Sequence, residues 1–468
     1  MTKNNLIQKY AVFKNLFISR ITDQYYVCFN PLSNKKVVVL NRDILRLIIY
    51  LNFPKTLKQI RRQFPQWDKI YLINSLRNLQ LFSLISYGNK IDSIIFKPNT
   101  NLEIWFSLTN ECNLRCRYCF VEKGNLTMSW SVAKKAVEVI FSTAEKNHRD
   151  SITMKFGGGE PTLHFDLVKK ISEYAILLNK HYHKKLKFIL VSNGVTFNDN
   201  IIKFIKKNNF IVSLSTDGVG KWHDKQRIFP DGSGSFEYVE KTIDKLISNG
   251  IFPRLSAVIT SENCAGLAVF VKYVLQNNLS FKFALYKENE LSVDDKQLSL
   301  RNQKIIKGLK NAYKVIRNYL IQRSRIKEKL PPYYLDSLLD QTQFISAHKH
   351  SCGAGINYFT IDPLGQISVC AHRKDTVFDK VTNSDFINKY VQSEKKLRTG
   401  LRNISVEDKE VCKDCKWKYW CAGGCPSSTY WSYKTNSAHS PFCPIFKAMI
   451  PEYLKLEGYR ILSEKKLL

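Results

Sequence analysis

The chain has 468 residues, 12 cysteines and a formal charge of +32, with room for two or three domains and a substantial core. It contains no run of 18 apolar residues, which excludes a transmembrane helix, and Met1–Phe13 lacks the apolar stretch of a signal peptide. The charge is diffuse: the first 100 residues hold 16 Lys and Arg against 4 Asp and Glu, and the excess continues through Lys304, Lys307, Lys310 and Lys314. Abundant Asn and Ile beside it suggest AT-rich coding bias, whereas a nucleic-acid stripe would be clustered. Tyr25–Phe29 and Lys36–Leu40 predict two strands joined by a turn at Asn30-Pro31-Leu32-Ser33-Asn34. Helices are expected over Asp43–Leu51, Thr56–Phe64 and Trp67–Phe82. In the second, Leu57, Ile60 and Phe64 share a face, and Thr56 can cap it.

From about residue 100 the pattern changes to alternating strands and helices. Apolar runs at Leu102–Thr109, Ile152–Gly157, Lys187–Ser192, Ile211–Ser215, Leu255–Thr260 and Phe281–Tyr286 are short and rich in β-branched and aromatic residues. Helical patterns at Val132–Glu145, Leu167–Leu178, Asn200–Lys207 and Tyr238–Ser248 lie between them. Six such units predict an α/β fold whose parallel sheet curls into a partial (β/α)6 barrel, with chemistry at the carboxyl ends of its strands. Four segments fall at that end: a cysteine loop after the first strand, Gly157-Gly158-Gly159-Glu160-Pro161 after the second, Ser192-Asn193-Gly194 after the third and Ser215-Thr216-Asp217-Gly218 after the fourth.

The cysteine loop reads Cys112-Asn113-Leu114-Arg115-Cys116-Arg117-Tyr118-Cys119-Phe120. Three thiolates hold three irons of a [4Fe–4S] cube and leave one corner for another ligand; a zinc site is the rival use of such a loop. The spacing resembles the radical SAM superfamily. That resemblance implies S-adenosylmethionine (SAM) on the open iron, and reductive cleavage to a 5′-deoxyadenosyl radical that abstracts hydrogen. Gly158, Gly159, Glu160 and Pro161 match the family motif that binds the SAM amino group. Ser215 and Arg227 stand at the spacing of residues that hold its carboxylate, for which a guanidinium fork is suited. Ser192 and Asn193 complete the expected SAM contacts.

Seven further cysteines, Cys352, Cys370, Cys412, Cys415, Cys421, Cys425 and Cys443, follow a C-x12-G-x4-C, gap, C-x2-C-x5-C-x3-C-x17-C pattern with Gly365 as its glycine. The pattern resembles the SPASM domain of peptide- and protein-modifying enzymes, with paired structural zinc sites as the rival. The resemblance implies two auxiliary iron–sulfur clusters. Cys412, Cys415, Cys421 and Cys443 would hold the distal one, and Cys352, Cys370 and Cys425 the proximal one. Residues 353–358 contain no eighth cysteine, so the proximal cluster is expected to keep an open iron that could take a substrate thiolate. Water, His372, Tyr358 or Cys264 are the alternatives for that corner. Sulfatase-maturating relatives carry an aspartate directly after the second SPASM cysteine, whereas Ala371 and His372 follow Cys370 here. Cys28 and Cys264 are expected to be buried and unreactive.

The N-terminal pattern of two strands and three helices resembles the winged-helix-like, PqqD-like peptide-recognition domain, where a leader peptide adds a strand to a sheet edge. The expected domains are therefore leader recognition over 1–95, the radical SAM barrel over 100–325, a bridge over 326–350, the SPASM domain over 351–450 and a C-terminal helix over 451–468. The expected function is maturation of a ribosomally made precursor peptide by cross-linking (thioether, carbon–carbon or carbon–oxygen) or backbone rearrangement. The alternatives are Cys or Ser oxidation of the sulfatase-maturating kind and, in another class, a nucleic-acid-binding or -modifying role. The expected cofactors are SAM, its [4Fe–4S] cluster and the two auxiliary clusters. The expected partners are a leader-bearing precursor and an electron donor of flavodoxin or ferredoxin type, with no membrane and no nucleic acid. Such clusters need a reducing compartment, so the cytoplasm is expected and no disulfide framework is implied.

Overall fold

The computed structural model describes residues 8–34, 36–88, 94–96, 99–324, 338–340, 346–382, 385–396 and 401–468. Most of the expected bridge lies outside the described residues. The N-terminal unit contains β1 (Tyr10–Val12), β2 (Phe17–Arg20), β3 (Tyr25–Phe29), β4 (Val38–Asn41), α1 (Arg42–Tyr50), α2 (Leu57–Gln63), α3 (Lys69–Leu81) and β5 (Ile85–Tyr87). β3 and β4 pair antiparallel as the hairpin reading requires, but β2 adds a third strand beside β3, and β1 pairs with β5. These three extra strands correct the two-strand expectation; β1 and β5 have three residues each and β2 four, too short to show a period. Thr56 caps α2 in a reciprocal capping box with Gln59.

Strand alternation gives this unit two faces. Cys28, Leu40, Leu47, Ile60 and Leu76 form its own core, while Val27 and Phe29 face the rest of the molecule.

The barrel runs β6 (Asn101–Thr109), α4 (Trp130–Lys146), β7 (Ser151–Gly158), α5 (Phe165–Tyr182), β8 (Lys185–Ser192), α6 (Asp199–Lys207), β9 (Ile211–Ser215), α7 (Lys221–Asp224), α8 (Phe236–Ser248), β10 (Arg254–Ile259), α9 (Leu267–Gln276), β11 (Ser280–Leu285) and α10 (Asn302–Ser324). The six strands pair in parallel and in sequence order. Phe106, Phe156, Phe188 and Phe210 stack beneath the helical layer.

The C-terminal third contributes β12 (Tyr358–Ile361), β13 (Gln366–Ser368), β14 (Val377–Lys380), α11 (Phe386–Lys396), α12 (Lys418–Cys421), α13 (Pro426–Tyr433) and α14 (Cys443–Glu464). β12 pairs in parallel with β6, and β13 and β14 follow antiparallel, so one nine-stranded sheet spans barrel and C-terminal segment. The boundary expected at 450/451 falls inside α14, which carries Pro451 in its interior. α14 lies across the N-terminal sheet, where a Cβ on Gly458 would strike the side chains of Ile21 and Val27. Trp420 donates its indole N–H to the Pro31 carbonyl at 2.7 Å and sits edge-on to Phe29. Among the described residues no helix is long and apolar enough to cross a membrane.

Candidate active site

Cys112, Cys116 and Cys119 lie in the loop that leaves β6. Glycines let the next strand end press against this loop. A Cβ on Gly159 would run into the Glu111 carbonyl, and Gly158 has a φ of 113° with the Thr109 carbonyl against it. The close approach made possible by these two glycines is thus to the chain's own backbone just before Cys112.

Glu160 follows and is 1% exposed. Its Oε1 accepts from Thr162 N, Thr162 Oγ1 and Ser192 Oγ, and its Oε2 from Asn193 N, at 2.7–3.0 Å. These bonds lock the ends of β7 and β8 together. The carboxylate expected to meet an ammonium group thus accepts four hydrogen bonds from the protein. Asn193, held in this way, donates to Asn113 Oδ1 at 2.7 Å and reaches Cys112 Sγ at 3.8 Å.

A second buried carboxylate organises the opposite side of the loop. Asp217, two residues past β9, accepts from Tyr118 Oη (2.5 Å), Gln226 Nε2 (2.9 Å) and Arg227 Nε (2.8 Å) on one oxygen and from Val258 N (2.9 Å) on the other. Arg227 also directs Nη1 toward Cys116 Sγ at 3.7 Å, and its guanidinium lies over the Tyr118 ring. Ser215 ends β9 at the same rim. Lys123 Nζ stands 3.2 Å from Cys119 Sγ, and the Arg117 fork grips Asp295. Lys123 and Asp295 were not named from the sequence, and Tyr118 and Asp217 were named only as parts of the cysteine loop and of the segment after the fourth strand. Their partners lie four to 178 residues away, and only Lys123, four residues after Cys119, gave a local signal.

Each sulfur of the loop thus has a nitrogen donor near it. Burial raises the Cys112 thiol and pushes Cys116 up to about 12. A thiolate there needs a strong positive partner, and metal coordination deprotonates thiols outright.

The remaining cluster cysteines stand in two separate groups. Cys352, Cys370 and Cys425 lie within electrostatic range of one another, as do Cys412, Cys415, Cys421 and Cys443. Burial pushes Cys352, Cys370 and Cys421 up to about 12. All four of the second group line one cavity together with Lys418, His439 and Lys447. Among the described residues no three His, Cys, Asp or Glu side chains converge as ligands of a single metal ion.

Tyr358 lies in the field of Cys370 and Cys352. The His372 ring packs on Phe120, 3.9 Å between centroids, so the loop after Cys370 touches the loop after Cys119. Cys264 is elsewhere, buried against Gly308 of α10, and Cys28 is fully buried in the N-terminal core.

Residues 106–261 match the model of the radical SAM superfamily. The chain carries a radical SAM domain. Its curated relatives include a cysteine-type anaerobic sulfatase-maturating enzyme of Clostridium perfringens, 25% identical over 330 residues that cover 67% of this chain and 85% of that one. The subtilosin biosynthesis protein AlbA of Bacillus subtilis is 25% identical over 363 residues, 73% of either chain. Among solved structures, a native anaerobic sulfatase-maturating enzyme with bound SAM and a cysteine-containing peptide superposes with a TM-score of 0.59 at 19% identity. That likeness covers 76% of this chain and 99% of the other, and it shows a shared α/β fold. By this domain the protein is a radical SAM enzyme, and the domain implies a [4Fe–4S] cluster and SAM.

Proposed function

We propose that this radical SAM enzyme is a peptide maturase that recognises its precursor through residues 1–95 and modifies it at the mouth of the barrel. The observation that carries the reading is the division of ten cysteines into groups of three, three and four, the first at the carboxyl ends of the barrel strands. When bound, a [4Fe–4S] cluster with SAM supplies a 5′-deoxyadenosyl radical for hydrogen abstraction.

The donor set around Cys112, Cys116 and Cys119 fits such a group, because buried thiols need a cationic partner and Lys123, Asn193 and Arg227 can donate to their sulfurs. Gly158, Gly159, Glu160, Pro161, Ser192, Asn193, Ser215 and Arg227 would line the SAM site, with Glu160 also fixing the loops that present them. Cys352, Cys370 and Cys425 would hold a proximal auxiliary cluster with an open corner, and Cys412, Cys415, Cys421 and Cys443 a distal one. An electron donor of flavodoxin or ferredoxin type would serve these centres.

Support for peptide recognition comes from the β4 edge of the N-terminal sheet, where an extended segment could add as a fourth strand. The similarity to a subtilosin biosynthesis protein agrees with it. A cross-link remains the favoured product. The second reading, oxidation of a Cys or Ser side chain, is favoured by the sulfatase-maturating relatives and opposed by Ala371 directly after Cys370.

Co-expression with a short peptide encoded beside the gene, followed by mass spectrometry, tests the proposal. A cross-linked or rearranged core peptide is expected, and its loss when the leader is removed. Conversion of a cysteine peptide to formylglycine, with no change in the leader-bearing peptide, would favour the second reading.

A further inference from the structure

A short turn joins the two C-terminal cysteine groups. Cys421 of the distal set ends α12, and Cys425 of the proximal set precedes α13. Between them Ala422, Gly423 and Gly424 all have left-handed backbone, with φ of 43°, 74° and 71°. Gly423 lines the same cavity as Cys412, Cys415, Cys421 and Cys443. On the proximal side the Gly424 carbonyl accepts from Ser351 Oγ at 2.6 Å, and Cys352 is the next residue.

Lys409 is folded against this turn. Its carbonyl accepts from Cys412 N at 3.1 Å, and its Nζ reaches the Gly423 carbonyl at 3.4 Å. A Cβ on Gly423 would stand 2.7 Å from Lys409 Cδ and 2.9 Å from Nζ, so the glycine leaves the room that the lysine fills.

Lys409 is 2% exposed and is the only buried lysine among the described residues. Buried lysines are ordinarily paired, and other buried charges here obey the rule: Arg227 has Asp217, and Asp340 has Lys287. Lys409 makes no ion pair among the described residues. The acids beside it in sequence are elsewhere, since Glu407 holds Lys349 while Asp408 and Glu410 are exposed. The groups within electrostatic range of its ammonium are cysteines of both sets, Cys412 and Cys421, then Cys425 and Cys352. Other cations near these sulfurs are weakened: Lys447 is exposed and screened by solvent, and Lys287 is held by Asp340. Neutral thiols would leave the buried Lys409 ammonium without a counter-charge, whereas thiolates on a metal supply one.

We infer that Lys409 is the shared counter-ion of the two auxiliary centres, a positioning residue that raises the reduction potential of each. This rests on the auxiliary-cluster reading above and deepens it. Reduction of either centre adds one electron and changes no bond, so a fixed ammonium at the turn favours the reduced state of both. A merely structural lysine would act through the Gly423 hydrogen bond alone.

The full chain with Cys112, Cys116 and Cys119 replaced by Ala, so that the auxiliary signals stand alone, is reconstituted anaerobically. It is titrated with dithionite and followed by electron paramagnetic resonance. Lys409→Gln drops the charge but can still donate to Gly423, and Lys409→Met drops both. Each should shift the reduction equilibrium of both centres about tenfold toward the oxidised form, or about 59 mV for a one-electron couple. Lys409→Arg should restore it. Unshifted potentials in Lys409→Gln with iron content intact, or a shift at one centre alone, would overturn the shared counter-ion. Where the neutral variants lose iron, Lys409→Arg decides: retained iron upholds the charge as the cause, and lost iron assigns Lys409 to packing and overturns the inference. Absence of iron from the C-terminal cysteines when Lys409 is unchanged would instead overturn the cluster reading, and the inference with it.

Discussion

Asp217 and Glu160 show how two buried carboxylates hold a reactive loop without belonging to it. Asp217 neutralises Arg227 and receives Tyr118, so Asp217→Ala would leave a buried guanidinium unpaired. The expected cost is about 3–5 kcal/mol, read by denaturant unfolding. His223, next to this network, accepts the Asp217 backbone N–H and pairs with Ser235. Burial, then the Arg227 charge, push its pKa down from 6.5 to about 3, so the fold holds it neutral. Its contribution to stability is complete above 6.5, the unfolded value, and is lost as the pH falls toward 3. Stability should therefore fall by about 1.4 kcal/mol per pH unit below that value on account of this residue, and a His223→Asn variant should show a correspondingly shallower slope. Cys264 gives a cleaner outcome. Because it packs on α10, Cys264→Ser should leave iron content and the spectrum of the proposed proximal cluster unchanged; a changed spectrum would restore it as the fourth ligand.

At the scale of elements, the six barrel strands were legible because each is a short apolar run closed by a turn, and their observed bounds differ by two residues at most. Thr56 was legible as a cap because its partner Gln59 is three residues away. The strands β12 to β14 were not. They acquire their role by joining β6, more than 250 residues away in the chain, and no local period reports that pairing. The same holds within the site. The cysteine spacings and the glycine turn were visible, but the occupation of Glu160 and the Asp217 network arise only when loops from β6 to β10 meet. Trp420 illustrates the energetic consequence. It is 1% exposed, against Phe29 and the Pro31 carbonyl, so Trp420→Ala should cost about 3–5 kcal/mol in thermal or denaturant unfolding. Deleting residues 1–95 strips the same surface, together with the cover of α14. Truncation should therefore lower stability as well as leader-dependent modification. The recognition role is better tested by comparing leader-bearing and leaderless peptides on the full chain; equal processing of both would remove it.

For the whole molecule, one sheet and one continuous core join the barrel to the C-terminal cysteine segment, and α14 fastens the N-terminal unit to both. This layout brings the loop after Cys119 and the loop after Cys370 into contact through Phe120 and His372. A radical formed at the first cysteine group would thus arise beside the proximal group. All of this depends on the first cysteine group. The most direct measurement is 5′-deoxyadenosine formation from SAM under reduction by the anaerobically reconstituted full chain, compared with a variant in which Cys112, Cys116 and Cys119 are all Ala. The native chain should form it, and the variant should form none while retaining the iron of the other two cysteine groups. Undiminished deoxyadenosine formation by the variant would contradict the assignment of the SAM site to this loop.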